Sequence, residues 1–265
     1  MDIYRRHLAP ITESAWEQIE DDARTGLINL LSARKVIDVE GPRGWNFSGI
    51  PEGRMKLVEP AKNKGFNYGI RKVIPVVEPR VSFNLNIWEL DNATRGAEDI
   101  ELDNMMKAVE KIAAFEEKAI YNGLKDAGIE GLLPSAENTI NLPKEPGKWV
   151  ASISEAILKM QENSIEGPYS LVLPPAIWKT INYFAECHPI LFQIREIIKG
   201  DIILSKFIDN GLLISTRGDD FRMTLGSDFS IGYEHHDSKE VTLFLTESFT
   251  FQVFEPLAAV KIQVK

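Results

Sequence analysis

The chain has 265 residues, of which 44% are hydrophobic and 26% charged, as expected of a globular protein that buries a sizeable core. Its net charge of -9 does not favour binding to a nucleic-acid backbone. No apolar run reaches the roughly 18 residues that span a bilayer, and no secretory signal follows Met1. We therefore expect a cytoplasmic protein with neither a membrane nor a nucleic-acid partner. Cys187, the single cysteine, excludes an internal disulfide and a CxxC metal site.

The N-terminal third of the sequence changes from a helical to a strand pattern. Ser14 and Glu17 have the spacing of a capping box, and the apolar residues that follow predict a helix from about residue 14 to 34. From Trp45 to Leu90, runs of alternating apolar residues predict a long β-hairpin. Such an arm exposes open strand edges, so we expect a neighbouring subunit to cover it.

The remaining sequence mixes both patterns. Helical periodicity predicts a long helix from about 102 to 126, closed by Gly128. Strands dominate after Phe221 and end in an alternating run at 241–254. The segment from about 131 to 220 is predicted to be a compact α/β unit with helices near 147–162, 175–185 and 189–199 and strands at 170–173, 202–204 and 212–215. The chain is thus predicted to be α+β.

Catalytic patterns are weak throughout the sequence. Cys187 and His188 are adjacent and precede Pro189, so a turn between helices explains them better than a catalytic pair. Glu234, His235 and His236 do not have the spacing of a helical metal motif and lead into a predicted hairpin turn. Neither a Gly-rich phosphate loop nor the paired ExxH motifs of a ferritin-like centre is present. We therefore predict no enzyme, no catalytic residue and no bound metal.

Several strings nevertheless resemble one known family closely, the encapsulin shell proteins formerly grouped with linocin-type bacteriocins. These strings follow the family's order along the whole chain: Ala9–Thr12, Arg34–Trp45, Leu85–Asn92, Ile165–Tyr169, Ser230–Tyr233 and Thr246–Val253.

The resemblance implies the Hong Kong 97-type phage major capsid fold. It assigns residues 1–48, 81–131 and 222–253 to a peripheral domain, 49–80 to an extended E-loop, and 132–221 with 254–265 to an axial domain. The resemblance implies that sixty copies would form the smallest closed icosahedral shell, a count that the family's chain length indicates. The shell would enclose a cargo enzyme with a C-terminal targeting peptide, most often a ferritin-like iron-storage protein or a dye-decolorizing peroxidase.

The resemblance also implies site residues, each of which could instead serve core packing. A cargo-peptide pocket would use Leu27, Leu31, Arg34, Asp38, Asp228, Ile231 and Tyr233; the alternative for its polar members is an Arg34–Asp38 contact within the subunit. A five-fold pore would be lined by Glu186, Cys187 and His188. The shell requires no cofactor, but Trp88 near Arg80 resembles a flavin site that some members have for FMN or riboflavin.

Two other functions stay open at the level of sequence. A viral or prophage capsid protein would share the fold, although the acidic composition and the family strings favour an encapsulin. A peptidase or bacteriocin-like lytic protein would need Cys187 and His188 to act as nucleophile and base.

Overall fold

A computed structural model describes residues 3–58, 66–183 and 190–264. The helices are α1 (Glu13–Leu30), α2 (Ile87–Thr94), α3 (Asp103–Asn122), α4 (Leu132–Ser135), α5 (Trp149–Glu162), α6 (Pro175–Tyr183) and α7 (Ile190–Ile198). The strands are β1 (Asp38–Glu40), β2 (Gly49–Val58), β3 (Tyr68–Pro75), β4 (Arg80–Asn86), β5 (Asn138–Leu142), β6 (Tyr169–Leu173), β7 (Lys199–Leu204), β8 (Gly211–Ser215), β9 (Phe221–His236), β10 (Glu240–Val253) and β11 (Ala259–Val264). The α+β prediction is confirmed.

One sheet has the strand order β1-β9-β10-β4 and carries α1 and α3 on one face. Strand β10 is antiparallel to both β4 and β9, and the turn that joins β9 to β10 lies where the sequence predicted it, at 237–239. The apolar faces of α1 and α3 share a buried cluster with the sheet, in which Ile19, Val109 and Leu243 are inaccessible to solvent. The apolar residues that recur every 3.6 positions in the helices thus pack in one core with those that alternate along the strands.

A separate sheet has the order β5-β11-β8-β6-β7 and is packed against α5 and α7. Every residue of β6 and β8 is buried, which explains why these strands read as continuous apolar runs without alternation. Strand β11 reaches this sheet from the C-terminal end of the chain and pairs in parallel with β5. The domain boundaries given by the resemblance stay a prediction.

Strands β2 and β3 form a hairpin that pairs with no other strand in the described part of the chain. The predicted hairpin from 45 to 90 is therefore too long, because β4 leaves it and pairs with β10. The predicted strand pattern also extends too far, since Ile87 and Trp88 begin α2. The side chain of Asn86 accepts hydrogen bonds from the backbone N–H groups of Trp88 and Glu89, and this N-cap starts the helix.

Both long helices end earlier than predicted. Helix α1 begins after the N-cap Thr12 rather than at Ser14. The N–H of its C-cap Leu31 still donates to Leu27, but the N–H groups of Ser32 and Ala33 donate to Glu117 of α3 instead, so the helix ends at Leu30. Helix α3 ends at Asn122 rather than at 126.

Gly123 explains the end of α3. It takes φ +84°, and a Cβ there would lie 2.8 Å from the carbonyl oxygen of Ile129. Only glycine fits this backbone conformation and this close approach. Gly128, the predicted cap, instead ends the short turn that follows α3.

A candidate docking groove between α1 and β9

A groove with a volume of about 560 Å³ lies between α1 and β9. Ala23, Leu27 and Leu31 follow one another at four-residue spacing, so they form a single apolar wall along α1 and its end. Ile231 of β9 and Leu245 of β10 face this wall. The complete lining is Tyr4, Arg6, Glu20, Ala23, Arg24, Leu27, Ile28, Leu31, Arg34, Lys35, Asp228, Phe229, Ser230, Ile231 and Leu245.

The groove exposes apolar surface that the subunit itself does not cover. Leu27, Leu31 and Ile231 are less than 10% exposed at the base of the two facing walls, here called the floor, whereas Ile28 is 60% exposed at the mouth. An apolar concavity with polar groups at its margin is the usual form of a ligand or peptide site. The geometry therefore fits an apolar side chain from a partner.

The N-terminal segment forms one wall of this groove. Arg6 donates to Glu20 at 2.5 Å, and its guanidinium lies 4.2 Å above the ring of Trp16, so the segment is tied to α1. Tyr4 is tied to β9, because its carbonyl oxygen accepts from the N–H of Tyr233 at 2.7 Å. Tyr4 and Arg6 thus bridge the two elements between which the groove lies.

Arg34 forms the polar end of the groove. Its Nε lies 3.0 Å from each carboxylate oxygen of Glu116, and its Nη2 donates to Glu116 at 2.6 Å and to Glu247 at 3.2 Å. Its Nη1 donates to Asp228 at 2.9 Å. One guanidinium therefore faces carboxyl groups from α3, β9 and β10. The planar arrangement of its N–H groups is suited to such multiple contacts with carboxylates.

The two inner carboxyl groups of this cluster are fully buried. Burial, together with the neighbouring Glu116, raises the pKa of Glu247 well above its ordinary value. Burial disfavours the charged form of Arg34, but the contacts with Glu116, Asp228 and Glu247 outweigh it and raise the pKa of this guanidinium. Arg34 thus stays cationic, whereas burial favours the neutral form of Glu247.

Glu117, the next residue on α3, holds the segment that leads into Arg34. Its carboxylate accepts from the N–H groups of Ser32 and Ala33, both at 2.8 Å, and from the hydroxyl groups of Ser32 and Ser205. Burial raises the pKa of Glu117 to about 7, although these hydrogen bonds oppose the shift. This carboxyl group therefore connects α3 to the end of α1 and to the loop after β7.

The structure brings together five of the residues predicted for a cargo pocket: Leu27, Leu31, Arg34, Asp228 and Ile231. Asp38 and Tyr233 do not line the groove. Asp38 accepts from the N–H of Asp219 at 2.6 Å, and the hydroxyl of Tyr233 lies 2.7 Å from Nδ1 of His236. The alternative Arg34–Asp38 contact is not among the contacts of Arg34 within the described chain, which go to Glu116, Asp228 and Glu247.

Sequence reasoning missed several residues of the site. Ile28 follows Leu27 directly, and its exposure could not be known without the fold. Glu116 and Glu247 carried a usable signal, because each is a carboxylate at a position where the apolar pattern of its element continues on both sides. Such a residue is buried only with a partner, and here the partner is Arg34.

Arg80 is the first residue of β4, and Trp88 lies in the first turn of α2. At the rise of a strand, the two residues are about 20 Å apart along the chain. Trp88 is 70% exposed with Arg95 near its ring, whereas the guanidinium of Arg80 lies 4.1 Å above the ring of Phe244. The flavin site stays a prediction.

Other predicted features are only partly visible. Glu186, Cys187 and His188 lie outside the described residues, so the pore stays a prediction. Over the described ranges, neither a cluster of metal-binding side chains nor a helix long and apolar enough to cross a membrane is found.

The fold and the likeness to known structures define the class of protein. The chain resembles a virus-like particle from Pyrococcus furiosus with a TM-score of 0.68 and 16% identity, over 94% of this chain and 99% of that one. It resembles the capsid of the Myoviridae phage XM1 with a TM-score of 0.54 and 11% identity, over 88% and 91% of the two chains. The predicted Hong Kong 97-type capsid fold is confirmed, and the chain has a capsid-type fold.

The sequence comparisons give the family. A family model described as encapsulating protein for peroxidase matches residues 1–250. A type 1 encapsulin shell protein from Rhodospirillum rubrum is 37% identical over 97% of this chain and 95% of its own length. The chain belongs to the type 1 encapsulin shell proteins and forms a capsid-like assembly of identical subunits.

Proposed function

We propose that sixty copies of this chain close into an icosahedral compartment in the cytoplasm of a prokaryote, and that the groove beside α1 holds the targeting peptide of a cargo enzyme. The cargo is a ferritin-like iron-storage protein or a dye-decolorizing peroxidase, bound through its C-terminal tail. The family description, which names a peroxidase as the encapsulated protein, supports the peroxidase among these two cargo classes. The chain itself acts as a non-catalytic wall.

The hairpin β2–β3 supports the closed shell. Met55, Leu57, Tyr68, Ile70 and Val73 are each more than half exposed, and they lie on both faces of the ribbon. A two-stranded ribbon with two uncovered apolar faces is not stable in water by itself. Neighbouring subunits provide the surface that covers it.

The groove carries the cargo proposal. Its apolar floor and the exposed Ile28 at its mouth offer a binding surface that subunit folding leaves uncovered. Because the floor contains buried side chains whose replacement would also disturb the core, Ile28 is the position at which binding can be tested without unfolding the subunit.

The test uses a fluorescent protein fused to the last fifteen or so residues of each ferritin-like protein and dye-decolorizing peroxidase from the same genome. Each fusion is co-expressed with the shell, and the fluorescence per shell is measured after gel filtration and electron microscopy. At least one tail should load wild-type shells, and Ile28→Asp should reduce loading at least about tenfold, whereas Ile28→Leu should not. Equal loading of the Ile28→Asp shell would refute the groove as the docking site.

The pore and the flavin are further parts of the proposal. Glu186 and His188 would give the five-fold pore a charge that changes near neutral pH, with Cys187 between them. A flavin would stack on the exposed Trp88, with Arg80 as the second residue of the predicted site. Flavin absorbance in purified shells that disappears in Trp88→Ala shells would support this site, and its absence from wild-type shells would refute it.

A further inference from the structure

The edge of β9 beside the groove is covered at both ends. Strand β1 pairs with β9 over Arg222–Thr224, and the N–H of Gly44 donates to the carbonyl of Gly226 at 2.7 Å. At the far end, the N–H of Tyr233 donates to the carbonyl of Tyr4 at 2.7 Å. The part of β9 between these contacts is the part that lines the groove.

Ile231 has its main-chain groups on this edge. Ser230 pairs with Thr246 of β10 and Ile231 with Leu245, and successive residues of an antiparallel strand direct their N–H and C=O groups alternately toward and away from the neighbouring strand. Tyr233 directs its N–H away from β10, toward Tyr4. Ile231, two residues earlier in a regular stretch of the ladder, therefore does the same, and no main-chain group of the described residues pairs with it there.

The opposite wall has the spacing of an extended chain. Leu27 and Leu31 are four residues apart, which is about 6 Å along a helix. Alternate side chains of an extended peptide are about 6.6 Å apart. A peptide strand on β9 would thus place two apolar side chains, separated by one residue, against Leu27 and Leu31.

The charges at the mouth of the groove favour a peptide with a negative charge. Arg6 is paired with Glu20, and Arg34 is saturated by its carboxyl partners. Lys35 forms none of the ion pairs found among the described residues, and Arg24 has only an exposed contact of 3.7 Å with Asp21. The mouth therefore carries uncompensated positive charge in a chain whose net charge is -9.

We infer that the cargo peptide binds as an added strand on the edge of β9 at Ile231, with apolar side chains at alternate positions facing Leu27 and Leu31 and a carboxylate beside Arg24 or Lys35. This inference rests on the proposed function of the groove and specifies the chemistry of its partner. Main-chain hydrogen bonds give such a complex its affinity, and the alternate side chains give it specificity.

The probe is the fluorescein-labelled peptide Gly-Ser-Leu-Thr-Leu-Ser-Glu, present while full-length shells are dissociated and reassembled. Each unlabelled competitor has a single N-methylated amide, and the position of this amide moves along the peptide from one competitor to the next. Competitors methylated at alternate amides should compete at least about tenfold more weakly, because the methyl group removes a hydrogen bond to β9 and adds a clash. Methylation of the amides between these positions should change competition less than about threefold. A scan without this alternation would overturn strand addition.

Hydrogen exchange at single-residue resolution gives a second measurement. The amide of Ile231 should exchange at least about tenfold more slowly with peptide bound, whereas the amides of Ser230 and Gly232, which face β10, should change little. Unchanged exchange at Ile231 with peptide present would also overturn the inference.

The same peptides test the carboxylate. A C-terminal amide weakens competition if the terminal carboxylate is the recognised group, and a Gln in place of Glu weakens it if the side chain is. If neither change weakens competition, the groove does not recognise a carboxylate. If Ile28→Asp shells lose reporter loading but the N-methyl scan shows no alternation, the groove is the docking site and strand addition is wrong. If loading does not depend on Ile28, the groove is not the docking site.

Discussion

Arg34 and Glu116 form a bidentate ion pair inside the subunit, with the Nη2 of Arg34 2.6 Å from a carboxylate whose side chain is fully buried. The side chain of Arg34 is only 17% exposed. Because Glu247 and Asp228 share the same cation, the pair is the centre of a cluster that joins η2, the turn at residues 33–35, to α3, β9 and β10.

Replacing Arg34 by Met should therefore destabilise the subunit by about 3–5 kcal/mol, because the carboxylate of Glu116 would be left buried without a cation. Thermal unfolding of purified shells, together with the yield of soluble shell, measures the effect. Lys148→Met is the matched control, since its pair with Glu145 is exposed and should contribute no more than about 1 kcal/mol. Adding Glu116→Gln to Arg34→Met should restore part of the loss; equal stability of the Arg34→Met and Lys148→Met shells would contradict the assignment.

Gly123 and Gly96 allow backbone strain and steric contact to be separated. Both residues have positive φ, of +84° and +101°, but a Cβ at Gly123 would lie 2.8 Å from backbone atoms of Ile129 and Gly131, whereas a Cβ at Gly96 would meet nothing within 4 Å. We expect Gly96→Ala to cost about 1–2 kcal/mol from conformation alone. Gly123→Ala should cost at least about 2 kcal/mol more, measured as the shift of the unfolding midpoint, and similar shifts for both variants would show that the turn adapts.

The groove shows which parts of a site the sequence can predict. The resemblance assigned Leu27, Leu31 and Ile231 to the pocket, and the helical period also places Leu27 and Leu31 on the apolar face of the predicted helix. The partners of Arg34 were not found, because Glu116 and Glu247 are 82 and 213 residues away in the chain. Proximity in sequence suggested Asp38 instead, and that contact is not formed.

Element boundaries were misread for a related reason. The alternation that begins at Val81 continues through Ile87, so the pattern alone extends the strand. The side chain of Asn86 ends it by capping α2, and Glu117 ends α1 by accepting N–H groups from Ser32 and Ala33. Local polar side chains and a distant carboxylate, rather than the apolar period, set these boundaries.

Assembly should depend on the apolar side chains of the hairpin more than on its charges. Leu57 is 78% exposed and Ile70 57%, on opposite faces of the ribbon. Leu57→Asp together with Ile70→Asp should leave a folded subunit that elutes at about 30 kDa instead of as a shell, because a charge in a buried contact costs several kcal/mol at every copy. Circular dichroism confirms folding of the variant.

The matched control for this experiment is Lys56→Ala together with Arg71→Ala, on the same two strands. These shells should assemble normally, since exposed charges contribute little. Shells of normal size from the Leu57→Asp, Ile70→Asp variant would show that the hairpin is not an assembly contact.

Glu117 should make shell stability depend on pH in a defined direction. Its pKa is about 7 in the folded subunit, whereas a solvated glutamate has an ordinary value of 4.5. Between these values the native state binds more protons than the unfolded state, so the contribution of Glu117 is complete below about pH 4.5 and is lost as the pH rises to about 7. The shift corresponds to about 3 kcal/mol.

Glu117→Gln removes this titration while keeping an acceptor for the N–H groups of Ser32 and Ala33. Relative to wild type, the variant should therefore gain stability as the pH rises from about 5 to 8, by up to about 3 kcal/mol. The unfolding midpoints of both shells across this range measure the difference, with Glu110→Gln as the control because that carboxylate is exposed beside Lys206. Since other groups titrate equally in wild type and variant, parallel curves would mean that Glu117 does not hold a proton in the folded shell near pH 7.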